Sequence, residues 1–385
     1  MAKSPTFGCW WRAVLNLETA TSRSSEEFGR GLLQSPGVRI LHLLHDVRDA
    51  GNGIVHAAID VATYQRVVGH TVAVASGPGA FSDLLVSNGV DWYPLPLRRS
   101  VRNIALAGFR FRSVVRRFAP DIVHSHGLIG TAVARAWRLR SPYRIVATAH
   151  RVYDRDVRLL SLADEVIALS ESNAEVLAAR GISHSKIHVI KNGTIGTLRR
   201  PDKNATPQIE LEHPAVVTIA GLYKRKGIDV LISAFARIGE THPNAHLYIV
   251  GEGPDRDLFQ KIAIRESCSA RIHFVGFSSN AHSYLRASDV FVLASRRESF
   301  PLVLLEAREA GCAIVATDVD GAKEALDGGD AGILVAADDV PALAIAIDKV
   351  ISDPKLAEEY RASAGRSLWR FNAERMALET LAVYA

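Results

Sequence analysis

Cysteine is scarce in this chain: Cys9, Cys268 and Cys312 are the three among 385 residues, odd in number and without a spacing pattern. They suggest neither a disulfide framework nor a zinc site, and a reducing cytosol is the expected compartment. No apolar run approaches the roughly 18 residues needed to cross a bilayer, and no segment reads as a convincing signal peptide. The expectation is a soluble protein, or at most one peripheral to a membrane. A strong charge of one sign is also missing, since 46 Lys and Arg stand against 41 Asp and Glu. So even a balance gives no argument for nucleic acid. No Gly-x-Gly-x-x-Gly follows the first apolar strand, which speaks against an NAD dehydrogenase. No lysine sits in a context suited to pyridoxal phosphate, which speaks against a phosphorylase.

What is present is a globular composition, 48% apolar and 23% charged. The chain is too long for one ordinary core, so two domains are expected. Residues 1–36 lack sustained periodicity and read as a flexible extension. Within them the run 7–15, rich in Trp and apolar residues, could fold back or touch a membrane, but an unstructured segment is the preferred reading.

The most informative stretch runs from Ala294 to Thr317, where a polar loop, a helix and a buried strand follow one another without filler. Pro301 has the fixed φ and missing N–H that suit a first helical turn, and Gly311 is a left-handed stop before the β-branched strand 313–317. The free N–H groups of the first turn and the positive end of the helix dipole then face the loop carrying Glu298, where an anion such as a diphosphate would fit. Glu306 lies on the order of 7 Å further along the axis, at about 1.5 Å per residue. One carboxylate could bind hydroxyls on one side of a diphosphate and the second hydroxyls on the other. Two Glu at this spacing also occur by chance on surface helices, and the residues alone leave both readings open.

Around this stretch the chain alternates strands and helices. A strand at 38–44, a loop with Gly51 and Gly53, a helix at 54–68 and a strand at 71–75 make a βαβ unit with its glycines at the ligand end. Arg98 to Arg102 and Phe109 to Arg117 interleave Arg with Phe and Val, as either a solvated helix face with an apolar underside or a surface for anionic lipid. Strands end at His124 and His126 and at His150, where parallel sheets place ligands. No carboxylate accompanies these histidines in metal-like spacing, so no metal is expected. A linker is read at 197–213. The α/β pattern then restarts with a strand at 215–221, the basic loop Leu222-Tyr-Lys224-Arg225-Lys226-Gly227 and a helix at 228–238. Cations at a helix start are unfavourable unless an anion shares the site, which makes Lys226, with Arg225, a candidate diphosphate clamp. Two later strands end in Gly251 and Gly276, and residues 371–384 form an amphipathic final helix.

Glu298-Ser-Phe-Pro-Leu, Glu306-Ala, Gly311 and Ile314-Val-Ala-Thr together resemble the donor-site signature of the family 4 retaining glycosyltransferases, the group 1 transferases of GT-B fold. The resemblance covers residues 38–385. It implies an α/β fold of two Rossmann-like domains facing a cleft: 37–199 on the acceptor side, 205–371 on the nucleotide-sugar side, and 372–385 crossing back to the first. By the same resemblance Glu298 contacts the donor sugar and Glu306 the ribose. Lys226 and Arg225 meet the diphosphate, and Gly221, Gly276, Phe300, Pro301 and Leu302 complete the donor site. Gly53 belongs to a loop beside acceptor and diphosphate. His150, in a Thr-x-His ending, and after it His126, lie on the acceptor side. Two departures stand out: Leu222 replaces an Arg expected after Gly221, and Asp320-Gly321 replaces a Gly pair. Glu324 matches a Glu that follows that pair.

The resemblance implies sugar transfer with retention from a nucleotide-diphosphate sugar to a saccharide or lipid-linked acceptor, in envelope polysaccharide or glycolipid biosynthesis. No metal or cofactor is required, and the expected location is cytoplasmic, at the inner face of the membrane if the protein is peripheral. A non-catalytic nucleotide-sugar binder and a nucleotide-sugar epimerase of the same fold are the alternatives.

Overall fold

A computed structural model describes residues 37–97, 101–138, 142–199 and 208–385, without the side chains of 101–106. The extension 1–36, most of the Arg98 to Arg102 stretch and the linker with the expected 199/205 boundary lie outside the described residues or straddle their edge.

The first sheet contains β1 (Arg39–Asp46), β2 (Thr71–Gly77), β3 (Asp91–Pro94), β4 (Ile122–Ser125), β5 (Arg144–Thr148), β6 (Glu165–Ala168) and β7 (Ile187–Val189). They pair in the order β3-β2-β1-β4-β5-β6-β7, and every pairing is parallel. The second contains β8 (Ala215–Ile219), β9 (His246–Val250), β10 (Ile272–Gly276), β11 (Val290–Leu293), β12 (Ala313–Thr317) and β13 (Ile333–Val335), in the parallel order β10-β9-β8-β11-β12-β13. The strands read as Val, Ile, Leu and Ala runs, and β4, β11 and β12 are buried along their whole length, because helices cover both faces. Each sheet reverses its winding once, between β1 and β4 in the first and between β8 and β11 in the second. Crevices beyond the carboxyl ends of strands at such points are where open α/β sheets hold ligands.

The helices that shape the space between the sheets are α1 (Gly53–Val67), α2 (Val101–Phe118), α3 (Glu171–Ala179), α4 (Ile228–Thr241), α5 (Leu302–Ala310), α6 (Gly321–Ala325) and α7 (Ala373–Tyr384). Asn52 caps α1 by accepting from the Ile54 N–H at 3.1 Å. This helix buries Val55, Ala58, Ile59 and Ala62, and also Asp60, Thr63 and Gln65, because the sheet lies on one side and α7 on the other.

α7 reaches the first domain after the second is complete. The crossing is made where Ile195 bridges Asn372 and the Phe371 carbonyl accepts from Thr194 and Ile195. A Cβ on Gly193 would lie 2.3 Å from the Asn372 oxygen, so the Asn192-Gly193 turn is glycine because another backbone passes there. Asn372 then caps α7, accepting from the Glu374 N–H at 2.6 Å.

Candidate active site

In the second domain the candidate site is built where β8 and β11 end side by side. Gly227 takes φ 63°, and a Cβ there would stand 1.9 Å from the Ala294 carbonyl oxygen. Only glycine lets the loop after β8 close on the end of β11, and that closure brings Lys226 to Glu298. The Lys226 ammonium is bonded to Glu298 Oε1, which also accepts from Ser295 Oγ at 2.7 Å. Arg225 sits outside, with Nη1 3.8 Å from Glu298 Oε2. Glu298 is 7% exposed, so its charge depends on these partners.

α5 begins after Pro301 with no side-chain cap, its Leu304 N–H donating back to the Pro301 carbonyl at 3.1 Å, and ends at Gly311 with φ 78°. Phe300 and Leu302 are buried in the core, so any contact they make with a ligand runs through the backbone. Glu306 lies half-buried further along α5. Burial works against the charge on Arg199, but Asp60, with Glu306 and Asp49 beyond it, raises its pKa above the ordinary value. Glu306 thus lies near enough to Arg199, at the end of the first domain, to act on its charge.

Leu222, at the expected Arg position, is 1% exposed and part of the second-domain core. Of the two basic residues that could stand in, Lys224 is exposed and engages Asp255 through its backbone N–H, whereas Arg225 reaches Glu298. Gly221 and Gly276 occupy turns at the ends of β8 and β10, Gly276 with φ 86° and its carbonyl accepting from Gly251.

In the first domain a buried series of histidines lies within β1, at the end of β4 and just beyond β5. Parallel register sets His42 directly beside His124, so both side chains leave the same face of the sheet. His126, two residues on, follows on that face and lies 3.0 Å from His42 and 3.1 Å from His150. His42 also bonds Gln65 at 2.8 Å, while His124 bonds Tyr384 at 2.6 Å and Thr148 at 2.7 Å. Burial pushes His42 down from 6.5 to about 4 and His150 to about 3, and pushes His124 and His126 well below the ordinary range. All four are neutral at physiological pH. His126, an expected acceptor contact, stands behind His150 with both ring nitrogens occupied, and His150 alone of the pair keeps partial exposure.

The halves meet. Ser299 Oγ donates to the His150 carbonyl at 2.8 Å, and Asn173 Nδ2 donates to the Ser299 carbonyl at 2.9 Å. Tyr153 donates its hydroxyl to Asp320, whose other carboxylate oxygen accepts from the Glu298 N–H at 3.2 Å. Glu324 accepts from the Glu171 N–H at the start of α3 and pairs with Lys191 at 2.9 Å, so it works as a link between domains. Gly53 abuts the start of α5, since a Cβ there would be 3.4 Å from Leu302. Glu298, with Lys226 and Arg225 paired with it, and His150, Gly53 and the start of α5 therefore lie along the contact between the two domains.

His42, Gln65 and Tyr384 were not expected in the site. His42 looked like an ordinary strand residue, and nothing local marks residues 65 and 384 as its neighbours. Asp320 was expected only as a departure, and its bridging role depends on Tyr153 from the other domain.

A family model described as "Glycosyl transferases group 1" matches residues 200–366, and one described as "Glycosyltransferase Family 4" matches residues 51–194. The glycogen synthase of Mycobacterium tuberculosis (strain CDC 1551 / Oshkosh) is 30% identical over 302 residues, 72% of this chain and 72% of that protein. The lipopolysaccharide core biosynthesis glycosyltransferase LpsE of Rhizobium meliloti is 28% identical over 305 residues, 76% of this chain and 86% of the relative. Among solved structures, Anabaena Alr3699/HepE in complex with UDP-glucose superposes with a TM-score of 0.76 at 20% identity, covering 90% of this chain and 99% of that one. At that identity the likeness speaks for the fold, the two-domain GT-B arrangement.

Proposed function

The chain belongs to the family 4 glycosyltransferases, and from that premise we propose a retaining transferase that moves a sugar from a nucleotide-diphosphate donor to a saccharide or lipid-linked acceptor. The observation that carries this reading is the Lys226–Glu298 pair, seated at the switch point of the second sheet and tied to the first domain through the bond from neighbouring Ser299 to the His150 carbonyl. As the bond from the anomeric carbon to the diphosphate breaks, the electron pair leaves with the phosphate oxygen. Lys226, Arg225 and the N–H groups at the start of α5 meet that charge in this reading. Glu298 binds the sugar hydroxyls, Glu306 the ribose, and the acceptor hydroxyl attacks the face the diphosphate vacates, beside His150, so that the bond to the acceptor oxygen replaces the one to the diphosphate and the hydroxyl proton ends on the departing diphosphate.

These cations supply the leaving-group stabilisation in place of a divalent ion, so activity is expected to survive EDTA. Relatives named for glycogen and lipopolysaccharide core synthesis support a saccharide acceptor and a role in polysaccharide or envelope assembly. No helix among the described residues is long and apolar enough to cross a membrane. The scarce, unpatterned cysteines support a cytoplasmic enzyme, held at the inner membrane face when the acceptor is lipid-linked.

The test is binding of UDP, GDP and ADP to the purified protein, repeated for the tightest with Glu306→Ala and Lys226→Ala. One nucleotide should bind, and each change should weaken it by about tenfold or more, or 1.4 kcal/mol. If none binds, or the changes make no difference, the site is wrong. A second reading, a non-catalytic nucleotide-sugar binder, is favoured by the buried Leu222. Release of nucleoside diphosphate in the presence of acceptor would eliminate it.

A further inference from the structure

The buried histidines form a hydrogen-bonded series with a direction. Gln65 turns its amide oxygen to His42 Nε2 at 2.8 Å and its amide nitrogen to Tyr384 Oη at 3.1 Å. An amide oxygen only accepts, so His42 carries its proton on Nε2 and a lone pair on Nδ1. His126 Nε2, 3.0 Å away, must donate to that lone pair, which leaves His126 Nδ1 bare. His150 Nε2, 3.1 Å from it, must donate in turn. The His150 lone pair is then on Nδ1, the ring nitrogen outside the series.

In the other limb the Gln65 amide N–H donates to Tyr384, whose hydroxyl lies 2.6 Å from His124 Nδ1, and His124 Nε2 lies 2.7 Å from Thr148 Oγ1; both hydroxyls can donate or accept, so the direction of the series is set by the Gln65 amide. Nitrogens of His42, His124 and His126 lie within 4.8 Å of one another. Each of those nitrogens already has its hydrogen-bond partner, so the cluster reads as a neutral network and not as a metal site.

We propose that Gln65 and Tyr384 are positioning residues of the acceptor side: acting through His42 and His126, they hold His150 as its Nε2–H tautomer, so that Nδ1 offers a lone pair to the attacking hydroxyl. The proposal rests on the reading of His150 as the acceptor-side group in glycosyl transfer. A hydroxyl that donates to Nδ1 turns its own lone pairs away from the ring and toward the donor sugar. The opposite tautomer would present an N–H and hold the oxygen by a lone pair. Tyr384 comes from α7, so the acceptor half is completed by a residue the chain supplies only after the second domain is built.

The tautomer can be read directly. The full chain, labelled with 15N-histidine, is examined by long-range 1H–15N correlation, with His150 assigned by its loss in His150→Gln. Wild type should show His150 protonated on Nε2. Gln65→Leu leaves His42 Nε2 without an acceptor, and His150 should move toward the Nδ1–H form, whereas Gln65→Glu, whose carboxylate still accepts from His42, should restore it. Tyr384→Phe frees the amide to turn over and should give the same drift as Gln65→Leu, which keeps the question answerable if that variant does not fold. Nucleotide affinity, a property of the other domain, should be unchanged in all of them. In turnover, Gln65→Leu should lower kcat by about tenfold or more at unchanged donor KM, with recovery in Gln65→Glu. A wild-type His150 protonated on Nδ1, or a tautomer indifferent to residues 65 and 384, would overturn the proposal. The tautomer is measured without turnover, so a protein that transfers no sugar would sink the functional reading while leaving this arrangement standing.

Discussion

Ser299 Oγ donates to the backbone carbonyl of His150 at 2.8 Å, joining two residues 149 positions apart. One neighbours Glu298 and the other lies just beyond β5, so the bond sets the spacing between the carboxylate proposed to bind the sugar and the imidazole proposed to face the acceptor.

Replacing Ser299 with Ala should therefore act on alignment more than on folding. Loss of one neutral hydrogen bond costs about 1 kcal/mol, measurable as a small drop in the urea midpoint. Turnover should fall further than nucleotide affinity does, and equal losses in both would remove the alignment argument.

Asp320 adopts φ 41° and ψ −124°, a region suited to glycine, while bonding Glu298 and Tyr153. Asp320→Gly loses the bonds but relieves the backbone; Asp320→Ala loses the bonds and keeps the strain. The Ala variant should be the less stable of the two by about 1–3 kcal/mol. Thermal unfolding of both decides it, and equal midpoints would show that the backbone is unstrained.

Asp60 is fully buried and holds Arg199 through two contacts of 2.9 Å. Asp60→Ala strands a buried guanidinium, and a loss of about 3–5 kcal/mol is expected. Chemical denaturation measures it, and a loss under about 1 kcal/mol would mean that solvent reaches Arg199.

Acid should destabilise the protein through its histidines. His42 and His150 have pKa values lowered to about 4 and about 3, against 6.5 in a free imidazole. Between those values the unfolded chain binds protons that the folded chain does not, so stability falls as pH drops below 6.5. For each such group the slope approaches about 1.4 kcal/mol per pH unit. Below about 4 and about 3 the folded imidazoles protonate too and the slope flattens. Unfolding free energy measured from pH 7 to 5 should fall, and a flat profile would place these rings in contact with solvent.

α2 carries Arg110, Arg112, Arg116 and Arg117 among apolar residues; Arg112 lies over the Trp137 ring at 5.9 Å and Arg117 over Tyr93 at 5.7 Å, while Phe109 is 65% exposed. If this face holds anionic lipid, changing Arg112, Arg116 and Arg117 to Gln should abolish salt-sensitive binding to anionic liposomes, at about 1 kcal/mol per charge. Unchanged binding would make it an ordinary solvated helix.

Much of the donor half is legible in the sequence because it is local. Pro301 and Gly311 bracket α5, and Lys226-Gly227 opens α4, each within a few residues of the group it positions. The Asn192-Gly193 turn is equally visible, but its cause, the passage of Asn372, is not. His126 follows β4 as the sequence suggests, but strand periodicity does not tell that it stands behind His150 with both ring nitrogens bonded to neighbouring imidazoles. Leu222 shows that an Arg is missing, and only packing shows that the position has become core.

What the sequence determined by itself were two α/β units with parallel strands, the carboxylates and cations at the strand and helix ends of the second, and the family they resemble. Hydrophobic period, capping and turn chemistry act over neighbouring residues, and that is where those features are written. Tertiary structure decided the rest: that His42 stands beside His124, that Gln65 and Tyr384 complete their network, and that Asp320 meets Tyr153. Those contacts follow from the register of parallel strands and the return of the last helix, which bring together side chains that no stretch of sequence holds in common.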